Sequence, residues 1–210
     1  MSNVQVRHYR AADYPSMPWR NGGGITHEVA CETCDGDAGF DWRISIAEVA
    51  QDGAFSHFGG LQRIIAVLEG TGMALTFNGR SPDVVLHPHQ PFAFSGNDQV
   101  HCRLLDGPIR DLNLMYAPTR YRARLRWMTS PADLRFHSDA SKVLILNTGT
   151  APMSCRIDGQ DHPLPIRYDC LRIDTAGTQI ECACSPDTAS ACIIELYLLC
   201  TTELAPQGYR

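Results

Sequence analysis

Short runs of alternating apolar and polar residues dominate the 210-residue chain. Successive side chains of a strand point to opposite faces, so alternation over about four to eight residues predicts half-buried strands. The runs are WRISIAEV from Trp42, RIIAVLEG from Arg63, MALTF from Met73, PFAF from Pro91, HCRLL from His101 and DLNLMY from Asp111. Each is β-branched or aromatic and is bounded by Gly, Pro, Asn or Asp. Beyond Tyr116 the pattern resumes with KVLIL, MSCRI, YDCLRI, TQIEC and CIIELYLL, and RYRARLR from Arg120 reads as a further half-solvated strand. Only SPADL at Ser130, a capping serine followed by proline, predicts a helical turn. The expected class is all-β, a sandwich or barrel of many short strands.

The pattern also repeats. Arg63 opens an apolar strand that ends at Gly70-Thr-Gly72, and a second strand closes at Asn78-Gly79; Lys142, Thr148-Gly149 and Asp158-Gly159 follow the same plan about 80 residues on. PFAF falls opposite CLRI at Cys170, and DLNLMY opposite IIELYL at Ile193, at nearly that offset. Two β units of similar plan are therefore expected in tandem.

Parity sorts the polar residues by face. Thr26 and Glu28 share a face opposite Ile25, His27 and Val29; Arg43 and Ser45 oppose Trp42, Ile44 and Ile46; Asp111, Asn113 and Met115 oppose Leu112, Leu114 and Tyr116. These faces carry short hydrogen-bonding groups and lone arginines, not the lysine and glutamate of a solvated edge. Parity leaves open whether they meet water or line a lumen.

Composition narrows the functional classes. A hydrophobic content of 44% suffices for a packed core. The longest apolar stretch, Ala191 to Cys200, is broken by Glu195 and falls well short of the roughly 20 residues a spanning helix needs, so no membrane partner is expected. The start, MSNVQVRHYRAADYP, lacks a secretory core and predicts a cytoplasmic protein. A net charge of −5 without a basic run argues against nucleic acid. Nine cysteines, an odd number, read as reduced thiols, and the spacings Cys31-x-x-Cys34 and Cys182-x-Cys184 make a poor zinc site.

Candidate chemistry is sparse. There is no Gly-x-Ser-x-Gly elbow, and Cys102 has no visible base, so no catalytic residue and no cofactor are assigned. His87-Pro-His89, with His101, resembles half a metal site, but Pro88 suits a loop and no glutamate follows nearby. The stretch MPWRNGGGITHEV, from Met17, sets three glycines before a strand. It has neither the Gly-Lys-Ser/Thr ending of a phosphate loop nor spaced glycines between strand and helix. It fits close backbone approach to a ligand or to a crossing strand.

That segment, together with WRISIAEVAQDGAFSHFGGLQRIIAVLEGTGMAL and PFAFSGNDQVHCRLLDGPIRDLNLMY, resembles the signature of the HutD/Ves family, a bicupin-like branch of the cupin superfamily. The likeness runs from about Met17 to Tyr116; Arg20 stands where lysine is commoner, and His27 where arginine or another polar residue is frequent. The resemblance implies two tandem cupin-like jelly-roll barrels, expected at residues 1–120, with the Trp-Arg-Asn-Gly-Gly-Gly segment, and at 121–210, the second degenerate and strands exchanged where the fold requires. It also implies a link, in bacterial relatives, to histidine utilisation through binding of a small acid such as N-formylglutamate, without a metal.

Such a ligand presents carboxylates and a formamide. Arg20, Arg43 and Arg63 suit the first; Asn21, Thr26, Ser45 and Asn113 suit the second. Trp19, Phe55 and Phe58 would wall the site, Glu28 would orient an arginine, and Gly22, Gly23 and Gly24 would let the backbone and Asn21 approach. The expected partner is thus a small anionic metabolite, and pairing through edge strands would allow a homodimer. Three other readings stand beside it: a structural one, in which Trp19 plugs the barrel end and Arg63 pairs with Glu28 or Asp111; a metal-dependent cupin enzyme using His87, His89 and His101; and a docking protein.

Overall fold

The structure is a computed structural model and describes residues 4–20, 22–34, 39–129, 134–185 and 190–199. The described residues form nineteen strands and one short 3-10 turn at Ala11–Asp13. The strands of the first half are β1 (Gln5–Tyr9), β2 (Ser16–Pro18), β3 (Gly24–Thr33), β4 (Phe40–Val49), β5 (Gly53–Ala54), β6 (Gln62–Glu69), β7 (Met73–Phe77), β8 (Arg80–Leu86), β9 (Phe92–Ser95), β10 (Val100–Leu104) and β11 (Ile109–Tyr116). Those of the second are β12 (Tyr121–Thr129), β13 (Leu134–Ser138), β14 (Lys142–Asn147), β15 (Met153–Ile157), β16 (Gln160–Leu164), β17 (Cys170–Asp174), β18 (Ile180–Ser185) and β19 (Ser190–Leu198). No described helix is long and apolar enough to cross a membrane. The helical turn expected at Ser130 lies outside the described residues up to Ala132 and Asp133, and its Leu134 opens β13.

These strands make four antiparallel sheets. A six-stranded sheet, β2-β3-β4-β11-β6-β9, packs against the four-stranded β5-β10-β7-β8; a five-stranded sheet, β1-β17-β14-β19-β12, packs against the four-stranded β13-β18-β15-β16. The repeat read from the sequence is thereby realised in three dimensions. Strands β6, β7, β8 and β10 recur 80 residues on as β14, β15, β16 and β18, in the same sheet positions. One element departs from sequence order: β1, from the first ten residues, pairs along β17 from Gln5↔Asp174 to Tyr9↔Cys170.

Both faces of the six-stranded sheet are covered, for a reason visible strand by strand. Ala47, Val49, Ile65 and Val67 face Met73, Leu75, Val100 and Cys102 of the opposing sheet. The alternate residues, Trp42, Ile44, Ile46, Leu112 and Leu114, pack against Leu125, Leu144, Leu146, Ile194 and Leu196 of the five-stranded sheet. The two halves therefore share one apolar layer, which burial of such side chains stabilises by roughly 1.5–3 kcal/mol each. Polar groups stitch its margin. The buried Arg172 reaches Glu32 at 2.7 Å and Asp174 at 3.0 Å, and Lys142 binds the same two carboxylates at 3.0 Å.

Candidate ligand-binding site

The inner face of the six-stranded sheet does not continue its apolar packing to the end. Register places three cross-strand rows there: Thr26, Ala47, Asp111 and Val67; Glu28, Ser45, Asn113 and Ile65; Cys31, Arg43, Met115 and Arg63. Thr26, Asp111, Ser45, Asn113, Arg43 and Arg63 of these rows border a cavity of 480 Å³. Strand parity thus delivers to one lumen the groups that the sequence places on a common face.

Of the candidate residues, Arg43, Ser45, Arg63, Asn113 and Thr26 line the cavity from the sheet, and Trp19, Arg20, Phe55 and Phe58 line it from the loops. Asn21 lies outside the described residues. The three glycines are absent from the lining, which corrects the expectation that they bring the backbone up to a ligand; Glu28, expected to orient an arginine, is absent from it as well. Glu28 acts on Arg43 only as a nearby charge that favours the guanidinium. Gly22 takes a left-handed φ of 72° in a turn closed by its N–H donating to the Trp19 carbonyl. Gly23 is buried, and its carbonyl accepts from Ala50 N–H. A Cβ on Gly24 would press into the Glu48 carbonyl and stand 3.1 Å from the Trp19 ring. Gly24 therefore makes room for the chain itself, and Gly22 supplies the turn that folds Trp19 back over the cavity, where its indole Nε1–H donates to Thr26 Oγ1 at 2.8 Å.

The two arginines define the electrostatics. Arg63 is 4% exposed, and its guanidinium lies over Phe55, Phe58 and Phe94 at 5.4, 5.4 and 4.8 Å. Arg43 lies over Phe40 at 4.9 Å and over the same Phe58 at 5.5 Å. Stacking on ring faces leaves guanidinium edges free to donate in their planes. Arg63 gives one such bond, 3.2 Å to the Ser56 carbonyl, while its Nε and that of Arg43 are buried without a partner. Among the described residues, no carboxylate lies within 4.0 Å of either guanidinium, so the structural pairing of Arg63 with Glu28 or Asp111 is not formed as an ion pair. Burial, with the Arg43 charge beside it, lowers Arg63 to about 10, which still leaves it cationic at neutral pH.

Asp111 is the charged lining residue that sequence reasoning left out of the site. It is 2% exposed, and its Oδ1, like that of Asn113, is buried without a hydrogen-bond partner. Burial pushes its carboxyl up to about 7 against the pull of Arg63. Its parity with Asn113 was the available signal, but the sequence offered it a plausible mate in Arg63.

The second half provides an internal control. Arg124 and Val143 flank Glu195 there as Arg43 and Arg63 flank Met115. Glu195 is fully buried; it accepts from Arg124 at 2.7 Å and from Ser138 at 2.7 Å, and Arg126 stands 3.4 Å away. Its cations are thus neutralised by the chain itself, whereas those of the first half are not.

The histidines do not form a metal centre. His87 Nδ1 approaches the Thr71 carbonyl at 3.3 Å, His89 stacks on Trp127 with centroids 5.1 Å apart, and His101 is exposed on β10. No group of three His, Cys, Asp or Glu side chains among the described residues is placed to hold an ion. The eight described cysteines are free, and burial raises the Cys102 thiol to about 12, away from thiolate chemistry.

Against this geometry the relatives can be set. The family model described as HutD matches residues 11–192. The chain belongs to the HutD family. An uncharacterized 21.2 kDa protein encoded in the hutC 3' region of Pseudomonas putida is 47% identical over 174 residues, 83% of this chain and 88% of the relative. Two solved structures cover 93% of this chain and all of their own. They are a conserved protein of unknown function from Pseudomonas aeruginosa PAO1, 43% identical with a TM-score of 0.85, and HutD from Pseudomonas fluorescens SBW25 in a formate condition, 41% identical with a TM-score of 0.81. The cupin-like fold reaches further: a bacterial pirin of Escherichia coli in complex with nickel(II) superposes at a TM-score of 0.65 with 11% identity, a likeness of fold alone. HutD membership and the hutC-region relative associate the chain with histidine utilisation.

Proposed function

We propose that this chain is a non-catalytic binding protein that takes a small carboxylic acid of the N-formylglutamate type into the first-half cavity, and that occupancy of this cavity is its part in regulating histidine utilisation. The observation that carries the reading is the pair Arg43 and Arg63, two guanidinium groups on one aromatic-walled lumen with no carboxylate in ion-pair contact. Two like charges held together in a place of low dielectric are costly unless an anion completes them. A ligand carboxylate accepting from both would form charge-assisted bonds, each shorter and roughly twice as strong as a neutral one. Ser45, Asn113 and Thr26, along the same sheet, offer hydroxyl and amide groups for a neutral formamide. The volume of 480 Å³ matches the roughly 300–1,000 Å³ typical of small-molecule sites. Among the described residues no lining hydroxyl is hydrogen-bonded to Asp111, so no activated nucleophile is assembled, and binding rather than turnover is the reading the groups support.

Calorimetric titration of the full chain with N-formylglutamate, glutamate, urocanate and histidine tests it, repeated with Arg63→Ala. Saturable heat and a raised melting temperature with N-formylglutamate, both lost in the variant, are expected, because a ligand that binds only the native state must stabilise it. Absence of heat and of thermal stabilisation with all four compounds would remove the proposal.

A further inference from the structure

We propose that Asp111 makes this cavity selective for acids that carry an N–H beside their carboxylate, and turns away nitrogen-free acids and inorganic oxyanions. The inference rests on the anion-site reading above and adds to it a residue that decides which anion enters.

The lumen holds unpartnered groups of both kinds. Arg43 Nε and Arg63 Nε need acceptors, while Asp111 Oδ1 and Asn113 Oδ1 need donors. Sulfate, phosphate or a simple dicarboxylate would satisfy the arginines and leave both acceptors bare. An acid with an N–H satisfies both sets at once. Position along β11 supports this division. Asp111 and Asn113 follow one another on the cavity face, and Met115, flanked across the sheet by Arg43 and Arg63, comes next on that face. Same-face neighbours lie about 7 Å apart along a strand, which puts Asn113 one step and Asp111 two steps from the Met115 row, and the long Arg63 side chain spans that difference, close enough to pull electrostatically on Asp111.

The fold does not itself require these acceptors. At the matching places of the second half, Ala191 faces Asn147 and Ile193 faces Ile145 on β14, as Asp111 faces Val67 and Asn113 faces Ile65 on β6. Alanine and isoleucine thus build the same sheet. A buried carboxyl atom left without a donor costs about 1–3 kcal/mol, a burden that a structural role in the sheet does not explain and that an N–H on the ligand removes.

The test uses three probes on the full chain by calorimetry: N-acetyl-L-glutamate, its ester analogue 2-acetoxyglutarate, in which oxygen replaces the N–H at equal size, and glutarate. Wild type is expected to bind the amide at least tenfold more tightly than the ester, because a site built around a donor rejects the analogue that lacks it. In Asp111→Ala the ratio should fall below threefold, with the ester and glutarate binding as well as before or better. Should that variant fail to fold, Asp111→Asn, which keeps the shape and one acceptor, should still reduce the ratio at least threefold. Equal binding of amide and ester by wild type, or a ratio unchanged in the variants, overturns the role of Asp111 while leaving the anion site standing. Failure of all three probes to bind removes both.

Discussion

At the scale of single residues, the site is a set of unmet electrostatic demands, and these have consequences without any ligand. Asp111 is held near 7 by burial, where an unfolded chain would release its proton near the ordinary value of 3.8. The folded state therefore keeps a proton that the unfolded state gives up, and ionising it costs the folded state. Stability contributed by the neutral carboxyl is present below about 4 and is lost as pH rises towards 7. Asp111→Asn removes this loss. Thermal melts of wild type and variant at pH 5 and pH 8 should show the variant gaining relative to wild type at the higher pH, by about 1–3 kcal/mol; parallel behaviour of the two proteins would show the carboxyl to be neutralised by another route. Arg63 makes the complementary prediction. Arg63→Lys preserves charge but not the planar fork stacked between three rings, so it should bind N-formylglutamate at least tenfold more weakly than wild type, measurable by the same titration. Strand parity put Arg43 on one face with Ser45, whereas Arg63 was brought in by the chemistry of an acidic ligand. The lack of an Arg63–Asp111 contact was not legible in the sequence, since pairing depends on separations of an ångström or two that no spacing rule reports.

At the scale of elements, the glycine triplet and the edge strands mark where sequence reasoning held and where it failed. Of the two close approaches the triplet allowed, to a ligand or to the chain, the second is formed at Gly24, which meets the Glu48 carbonyl and the Trp19 ring. Gly24→Ala must therefore push β3 from β4 or displace Trp19. Overpacking of this kind costs about 1–3 kcal/mol, and because Trp19 forms part of the cavity wall, the variant should show both a lower melting temperature and altered tryptophan fluorescence. An unchanged melt and spectrum would mean that the turn relaxes freely. Central strands such as β4, β6 and β11 announced themselves as apolar runs because both of their faces are covered. The short strands β2, β8 and β16 did not. Each lies at the edge of its sheet and contains a proline, Pro18, Pro82 or Pro163, which an edge tolerates because one side of its backbone needs no ladder partner. With little burial to enforce alternation, as in the exposed residues Ser16 to Pro18, the period that identifies a strand is missing.

At the scale of the molecule, the repeat was visible as a recurring pattern of strands and turns and exchange of strands between the halves followed from the family resemblance, but which strand is exchanged was not legible, because nothing local in Gln5–Tyr9 says that this strand completes a sheet built from residues after 120. The join is substantial. Trp42, Ile44, Leu112 and Leu114 from one half and Leu144, Leu146, Ile194 and Leu196 from the other are all fully buried in one layer. Neither half can unfold without exposing the face of its neighbour. The margin reinforces this coupling: Arg172 stacks over the Trp42 ring at 4.9 Å while binding Glu32 of β3 and Asp174 of its own strand. Burial works against the Glu32 charge, but Lys142 and Arg172 more than offset it and hold its carboxyl below the usual range, so this contribution is present above the unfolded value and disappears on acidification through the folded one. Calorimetry of the full chain near neutral pH should therefore give a single transition whose van't Hoff and calorimetric enthalpies agree. Arg172→Ala should lower that one transition as a whole, by about 1–3 kcal/mol, since it leaves Glu32 and Asp174 to Lys142 alone and uncovers an indole. Two resolved transitions, or a loss confined to one of them, would show that the shared layer is an interface between independently stable units and that the cavity can open or close without the second half taking part.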